Sequence, residues 1–300
     1  VSWAATADPI RMKFPISDIN EGDVFIYNDV YESAGTIGHL PDYCVVTPIF
    51  VQDRLIGFAQ IFGHVSDVGG RMAGSWPNTS ESIFEEGTMC PPVKLYTAGM
   101  LNDGVYDIIL RNSRFPEDLR GDVDAFVGAN EIIRRRVVEL CERFGTDEVE
   151  GAFYEIIERC AEVVREKGLP FFPEGEFIGE DFIENDGLTL DEPVKLKITM
   201  RKYKHKMVLD FEGTSPQAKG PINWPLDGRH YSKWLGAFFK AQIPGIIINE
   251  GVTDVFRCRI PKRTILSSEF PAPVVSRMTC MLRMISAYTV ALAKAFDGQV

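Results

Sequence analysis

Two runs rich in β-branched and aromatic residues, Cys44–Val51 and Arg54–Phe62, are separated only by Gln52 and Asp53. A two-residue connection can join only antiparallel neighbours, because a parallel crossover needs a dozen or more residues. The two runs therefore predict a hairpin. With Gln52 and Asp53 as the turn, Asp42 faces Gly63 and His64 faces Pro41. Directly opposed residues hold their Cβ atoms roughly 4.5–5.5 Å apart. Asp42 and His64 then meet at the open end of the hairpin, His39 enters just before it, and Asp67 leaves just after. The convergence depends on that register, since a one-residue slip turns every side chain to the other face.

The meeting point has the composition of a metal site. The chain has four histidines, at positions 39, 64, 205 and 230, and the first two share a local pattern. Gly38-His39-Leu40-Pro41-Asp42 and Gly63-His64-Val65-Ser66-Asp67 each place an aspartate three residues after the histidine. Imidazole nitrogen and carboxylate oxygen suit divalent Zn, Mn or Fe, and a vacant coordination position admits water or a substrate oxygen. Such a metal polarises a carbonyl or lowers the pKa of bound water to about 7. Gly35, Gly38, Gly63, Gly69 and Gly70 permit tight bends around the site. The alternative is a pair of hydrogen-bonded structural histidines at strand ends. Asn28-Asp29, just after a predicted strand, supplies either a further ligand or acceptor, or a turn that binds its own backbone. Glu85-Glu86 reads as a helix end or a solvated pair. His205, among Lys202, Lys204 and Lys206, reads as a surface residue, and His230 as a residue at a helix N-terminus. Trp76 and Trp224 lie in Pro-containing loops, where they pack the loop or line a pocket.

The rest of the chain reads as α+β. Asp23–Tyr27 is a predicted strand and Val105–Arg111 a short helix. Asp122 or Asp124 caps a helix running to Phe144. Val149, Phe153, Ile156, Ile157, Cys160 and Val164 recur at helical spacing, and Gly168 ends that second helix. The short connection at Gly145-Thr146 predicts an antiparallel helical pair. Val68–Pro92 is long for a loop and is expected to be functional or to hold short elements of its own. Val194–Met200 and Met207–Phe211 predict a second hairpin across Arg201–Lys206. Tyr231–Ala241 and Arg277–Phe296 read as helices, and Phe256–Ile260 and Thr264–Leu266 as short strands. Strands cluster with strands and helices with helices, which favours mixed sheets with hairpins over regular βαβ alternation. Three regions follow: a β-rich lobe over 1–115, a helical hairpin over 116–170 and an α+β lobe over 171–300. They read as one continuous catalytic subunit, trimmed at Val1-Ser2-Trp3 and again after Phe296.

Charge and motifs exclude several functions. A net charge of −11 disfavours a nucleic-acid partner. No apolar stretch reaches the ~18–20 residues of a membrane span, and no signal peptide is visible. Six scattered cysteines with no Cys-x-x-Cys pair predict reduced, mostly buried thiols and a cytoplasmic home. A Gly-x-x-x-x-Gly-Lys-Ser/Thr loop, a Gly-x-Gly-x-x-Gly turn and a Gly-x-Ser-x-Gly elbow are all missing. Any ATP used is therefore expected to bind another chain.

An ordered series of segments resembles the hydantoinase B, 5-oxoprolinase and acetone carboxylase alpha-subunit family. The series runs Gly22-Asp23-Val24-Phe25-Ile26-Tyr27-Asn28-Asp29, His39-Leu40-Pro41-Asp42 and His64-Val65-Ser66-Asp67-Val68-Gly69-Gly70. It continues through Ile83-Phe84-Glu85-Glu86-Gly87, Pro91–Tyr96, Ile109–Arg114, Asp210–Gln217, Asn249-Glu250-Gly251 and Phe270-Pro271-Ala272-Pro273. Departures are Val30 in place of the usual Pro, Val65 in place of a second His, and a longer loop before His39. The resemblance implies a cytoplasmic, heteromeric, ATP-dependent enzyme acting on a small carbonyl substrate, with a hydantoinase A-type partner that uses the ATP. It implies a divalent metal, Mn or Zn and by donor type also Fe, held by His39, Asp42 and His64. Asp67 and Asp29 are the candidate catalytic carboxylates beside them. The expected reaction is hydrolysis of a cyclic amide C–N bond. The alternatives are carboxylation of a ketone, or a structural subunit that has lost its chemistry.

Overall fold

The computed structural model describes residues 4–298; Val1–Trp3 and the last two residues, part of the ends that read as trimmed, lie outside that range. The chain forms two compact units. One comprises residues 4–77 and 84–154, the other residues 78–83 and the chain from Glu155 onward.

The first unit is built on a five-stranded sheet in the order β3-β2-β1-β4-β5. The strands are β1 (Val24–Tyr27), β2 (Asp42–Val51), β3 (Arg54–His64), β4 (Val93–Thr97) and β5 (Met100–Leu101). All four residues of β1 are buried, as its unbroken apolar run requires of a central strand. β2 is buried from Asp42 to Ile49, whereas β3, at the edge, buries only Ile56 and Ala59. Helix α1 (Asp8–Lys13) precedes the sheet, and α2 (Asp103–Arg111) follows it, capped by the Asn102 side chain. Helix α3 (Pro116–Phe144) packs on β2 and β3. It begins six residues or more before the expected Asp122 or Asp124. Pro116 suits a first helical turn because its missing N–H has no partner to lose there, and Glu117 and Asp118 complement the helix dipole. Cys141 on α3 and Val149 on the next helix join Ile49, Ile56 and Ala59 of the hairpin in one apolar cluster.

Two details of the β2–β3 pair set the site. Gln52 takes a left-handed φ of 54° at the turn. Beside that turn the partners are Val51 with Arg54 and Phe50 with Leu55, the register expected from a Gln52–Asp53 turn. The pairing then shifts: Ile49 faces Gly57, and Ile56 is the extra residue of a β-bulge. From there on every partner is displaced by one. Asp42 faces His64 directly rather than Gly63, and Tyr43 faces Gly63. At Gly63 the strand also meets α3 closely, because a Cβ there would lie 2.2 Å from the Phe126 ring.

The second unit holds a four-stranded sheet in the order β6-β7-β8-β9. Its strands are β6 (Gly175–Ile183), β7 (Val194–Tyr203), β8 (Lys206–Asp210) and β9 (Phe256–Arg259). β9 runs parallel to β8 and the other pairs are antiparallel. Helix α4 (Thr146–Val163) begins in the first unit and ends in this one, where residues 164–168 widen into a π-turn. Helices α5 (Gly228–Gln242) and α6 (Arg277–Ala295) complete it, with α6 lying on β6 and β7. Phe211, Tyr231, Tyr288, Leu196, Met200 and Met284 centre its core. Full burial of each such side chain contributes about 1.5–3 kcal/mol. The β7–β8 strands extend into the basic segment, leaving only Lys204 and His205 at the turn. Thr264, expected in a strand, makes a single bridge to Pro216.

The architecture is α+β with two sheets of mixed order, as expected from the clustering of strands and helices along the chain. All six cysteines are free, and five of them are buried. No helix among the described residues is long and apolar enough to cross a membrane.

Candidate metal centre

His64 ends β3, Asp42 begins β2, and His39 lies one turn before Asp42, whose N–H donates to the His39 carbonyl at 3.3 Å. Asn28 supports that turn. Its amide donates to the carbonyls of Leu40 at 2.8 Å and Thr88 at 3.0 Å, and its oxygen accepts from Cys90 N–H at 2.6 Å. Val65 N–H donates to the Pro41 carbonyl at 2.9 Å, which extends the hairpin one step past His64.

Three donor atoms converge here. His39 Nε2 is 3.0 Å from Asp42 Oδ1, His64 Nδ1 is 3.3 Å from the same oxygen, and the two nitrogens are 3.1 Å apart. A metal with ligand bonds of about 2.0–2.2 Å at angles between roughly 90° and 110° requires ligand atoms about 2.8–3.6 Å apart. All three edges fall in that window. Hydrogen bonds alone satisfy the triangle poorly. If both nitrogens donate to Asp42, two N–H groups confront each other across the third edge. If one is deprotonated, a carboxylate oxygen faces its lone pair. A cation would satisfy all three atoms at once, so the donor set fits a divalent metal held by His39, Asp42 and His64.

The site is open on one side. The His39 and Asp42 side chains are 2% and 9% exposed, whereas that of His64 is 51% exposed. Trp76 stands against both imidazoles, its ring centroid 5.5 Å from His39 at 85° and 6.4 Å from His64 at 55°. This sets Trp76 beside the cluster, while Trp224 is buried in the other unit against Tyr231.

The remaining candidates have other positions. Asp67 is buried but stands outside the cluster of three. Its carboxylate accepts from the N–H groups of Gly69, Gly74 and Arg114 and from the Arg114 guanidinium, each at 2.9 Å. Burial alone raises its pKa, but the hydrogen bonds from Arg114, Gly69 and Gly74 outweigh that and hold it below the ordinary value. A depressed folded-state pKa stabilises the fold above the unfolded value of about 3.9 and loses that contribution as pH falls through the folded value. Asp67→Asn is therefore expected to cost about 2–3 kcal/mol at pH 7. The gap to wild type should narrow as pH drops from about 4 downward. Urea unfolding at pH 7 and pH 3 checks this, and a gap of equal size at both would count against it. Asp29 Oδ1 accepts from Tyr31 and Glu32 N–H at 2.9 and 3.2 Å, the geometry of a turn. Glu85 pairs with Arg71 at 2.6 Å. His205 is exposed at the β7–β8 turn. His230 lies in the first turn of α5, at its N-terminus as expected, and its pKa is pushed down to about 3 by burial and by the charges of Lys233 and Arg229, which keeps it neutral.

Arg114 is the residue that spacing and composition do not single out. It ends the Ile109–Arg114 segment, where nothing local distinguishes it from a surface arginine. Its role depends on carbonyls 42 to 45 residues away in the chain.

Comparison with known proteins agrees with the fold and with the family resemblance. The family model for hydantoinase B/oxoprolinase matches residues 3–300, and the chain belongs to that family. It is 30% identical over 292 residues to a protein assigned as the B component of a D-/L-hydantoinase in Pseudomonas sp. (strain NS671), covering 94% of this chain and 48% of that one. It is similar in structure to the ATP-dependent caprolactamase of Pseudomonas jessenii, with TM-score 0.84 and 28% identity over 97% of this chain and 50% of the other. An acetone carboxylase structure shares the fold, with TM-score 0.85 and 19% identity over 98% of this chain and 40% of the other. The chain thus spans about half the length of the two Pseudomonas relatives and less of the acetone carboxylase.

Proposed function

We propose that this chain is part of the metal-bearing subunit of an ATP-dependent enzyme that hydrolyses a cyclic amide, with His39, Asp42 and His64 as ligands and ATP consumed on a hydantoinase A-type partner. The observation that carries the reading is the donor triangle, with edges of 3.0, 3.1 and 3.3 Å. The names hydantoinase and caprolactamase, borne by relatives at 30% and 28% identity, both denote the opening of a cyclic amide.

When bound, a Zn, Mn or Fe ion would act as a Lewis acid toward a carbonyl oxygen and toward water. Asp42 supplies the one negative charge among the three donors and sits at the shared corner. His39, buried behind it, fixes the rear of the site. The exposed side of His64 leaves the approach open to a small carbonyl substrate. Asp67, saturated with hydrogen bonds, and Asp29, engaged in its turn, shape the loops rather than transfer protons in this reading. The six free thiols fit a cytoplasmic setting. A ketone-carboxylating role for the same site is the second reading, favoured by 25% identity to the acetophenone carboxylase delta subunit of Aromatoleum aromaticum.

The test is metal content by plasma mass spectrometry on the protein with its partner, wild type beside His64→Ala. About one divalent ion per chain is expected in wild type, with its loss in the variant. No ion in wild type, or equal content in both, overturns the reading.

A further inference from the structure

The exposed donor His64 poses a problem of positioning. Its side chain ends an edge strand and is half in solvent. A ligand must present one nitrogen in one rotamer, and outer groups normally hold it there. Asp42 fixes one side of the ring. Against another stands a loop residue, Trp76.

The loop that carries Trp76 is unusually constrained. Arg114 donates to the Gly69, Gly70 and Met72 carbonyls at 3.2, 2.7 and 3.0 Å and to Asp67 Oδ2 at 2.9 Å. Asp67 in turn accepts from Gly74 N–H at 2.9 Å. Gly74 and Ser75 both have left-handed backbones, with φ of 75° and 52°. That conformation is strained for serine and persists only where its surroundings enforce it. Ser75 is fully buried; its hydroxyl donates to the Gly69 carbonyl at 2.7 Å and accepts from Val68 N–H at 2.8 Å. The strained residue immediately precedes Trp76. The indole lies within the range of aromatic contacts to both histidines, which are themselves 4.9 Å apart. At 38% exposed, Trp76 keeps one part dry against the imidazoles and the rest toward solvent.

We propose that Trp76 is a positioning residue that locks the His64 imidazole in its metal-binding rotamer, and that the Asp67–Arg114 clamp with Ser75 holds the indole in place. The inference rests on the proposed ligand role of the three donors. With the indole removed, the His64 ring gains orientations in which Nδ1 points away from Asp42 and His39. With Arg114 removed, the loop loses four of the contacts that fix the indole.

The experiment is a Co(II) titration of the protein with its partner, following visible absorption and competing with a chelator, with affinities compared per folded molecule. Trp76→Ala and Arg114→Met are expected to weaken Co(II) binding about 10–100-fold, the range for outer-shell losses at metal sites. Trp76→Phe, which keeps an aromatic ring, is expected to restore most of the affinity and the wild-type spectrum. Rescue by Phe is the readout that a merely structural role would not move, since the thermal midpoints of all variants are recorded beside it. Co(II) binding by Trp76→Ala with wild-type affinity and spectrum overturns the positioning role. Absence of Co(II) binding by wild type overturns the ligand assignment instead, and His64→Ala marks the level of full loss.

Discussion

Asp42→Ala is expected to weaken divalent-metal binding by more than about 100-fold, beyond the 10–100-fold typical of outer-shell groups, and to carry turnover of the complex down with it. Asp42 Oδ1 is the corner that both nitrogens share, at 3.0 and 3.3 Å. It is also the only anion of the three. Without it, two neutral imidazoles remain, and a divalent ion loses both a bond and its charge partner. Asp42→Asn separates chemistry from folding, because it keeps the side chain's shape and its capacity to hydrogen-bond at the buried start of β2. The Asn variant should unfold close to wild type yet bind metal weakly. Isothermal titration with Zn or Mn on metal-free protein measures both variants. Wild-type affinity in Asp42→Asn would mean that the triangle is a hydrogen-bond network and that any metal binds elsewhere.

The convergence of Asp42 and His64 is legible in the sequence even though the register read from it is wrong by one residue. A hairpin's open end is fixed to within a residue by its turn, so strands joined by Gln52 and Asp53 bring both residues to the same end, but the register counted from that turn sets their side chains on opposite faces. The shift at Ile56 is hidden because a bulge has no side-chain signature: Leu55, Ile56, Phe58 and Ile61 make the run apolar at both parities, so it reads the same with or without an extra residue. Packing decides it, with Ile56 turned into the cluster of Ile49, Cys141 and Val149. The bulge makes the site, turning two residues that the unbulged register sets on opposite faces into a directly opposed pair.

Other features divide in the same way. Helices α5 and α6 are legible within a few residues, because their apolar spacing is local. β6 is not, since Glu180 and Asp181 interrupt its apolar pattern and its identity comes from pairing with β7. The short 3₁₀ turn at Ile83–Glu85 bears out the expectation that the long loop contains elements of its own, whereas Ala73–Ser75 is a tight turn with left-handed Gly74 and Ser75. Asp67 looks equivalent to Asp42 in the sequence, as each follows a histidine by three residues. The difference lies in Arg114 and two N–H groups that claim its carboxylate, and no spacing rule reports which acid a distant arginine will reach.

The largest effect on stability is expected from Gly179→Ala. Gly179 sits in the middle of β6, facing α6, and a Cβ there would lie 1.8 Å from the Ala287 carbonyl oxygen and 2.9 Å from Ala291 N. Both are helix backbone, so no side-chain rotation relieves the clash; α6 must move off the sheet. Gly63 gives the contrast. Its added Cβ would meet the Phe126 ring at 2.2 Å, a side chain that can swing aside. Overpacking a core typically costs about 1–3 kcal/mol; Gly179→Ala should lie at or above about 3 kcal/mol and Gly63→Ala below it. In a chain of this size about 3 kcal/mol lowers the thermal midpoint by roughly 5 °C. The core that α6 helps form contains Cys280, Met284, Ala287 and Tyr288, all of which lose contact together if the helix shifts. Calorimetry on the two variants measures the difference. An unchanged midpoint in Gly179→Ala would mean that α6 is not packed on β6 as described. Because the three donors all lie in the other unit, metal content below the lowered midpoint should stay at the wild-type level, which separates this loss from that of Asp42→Ala.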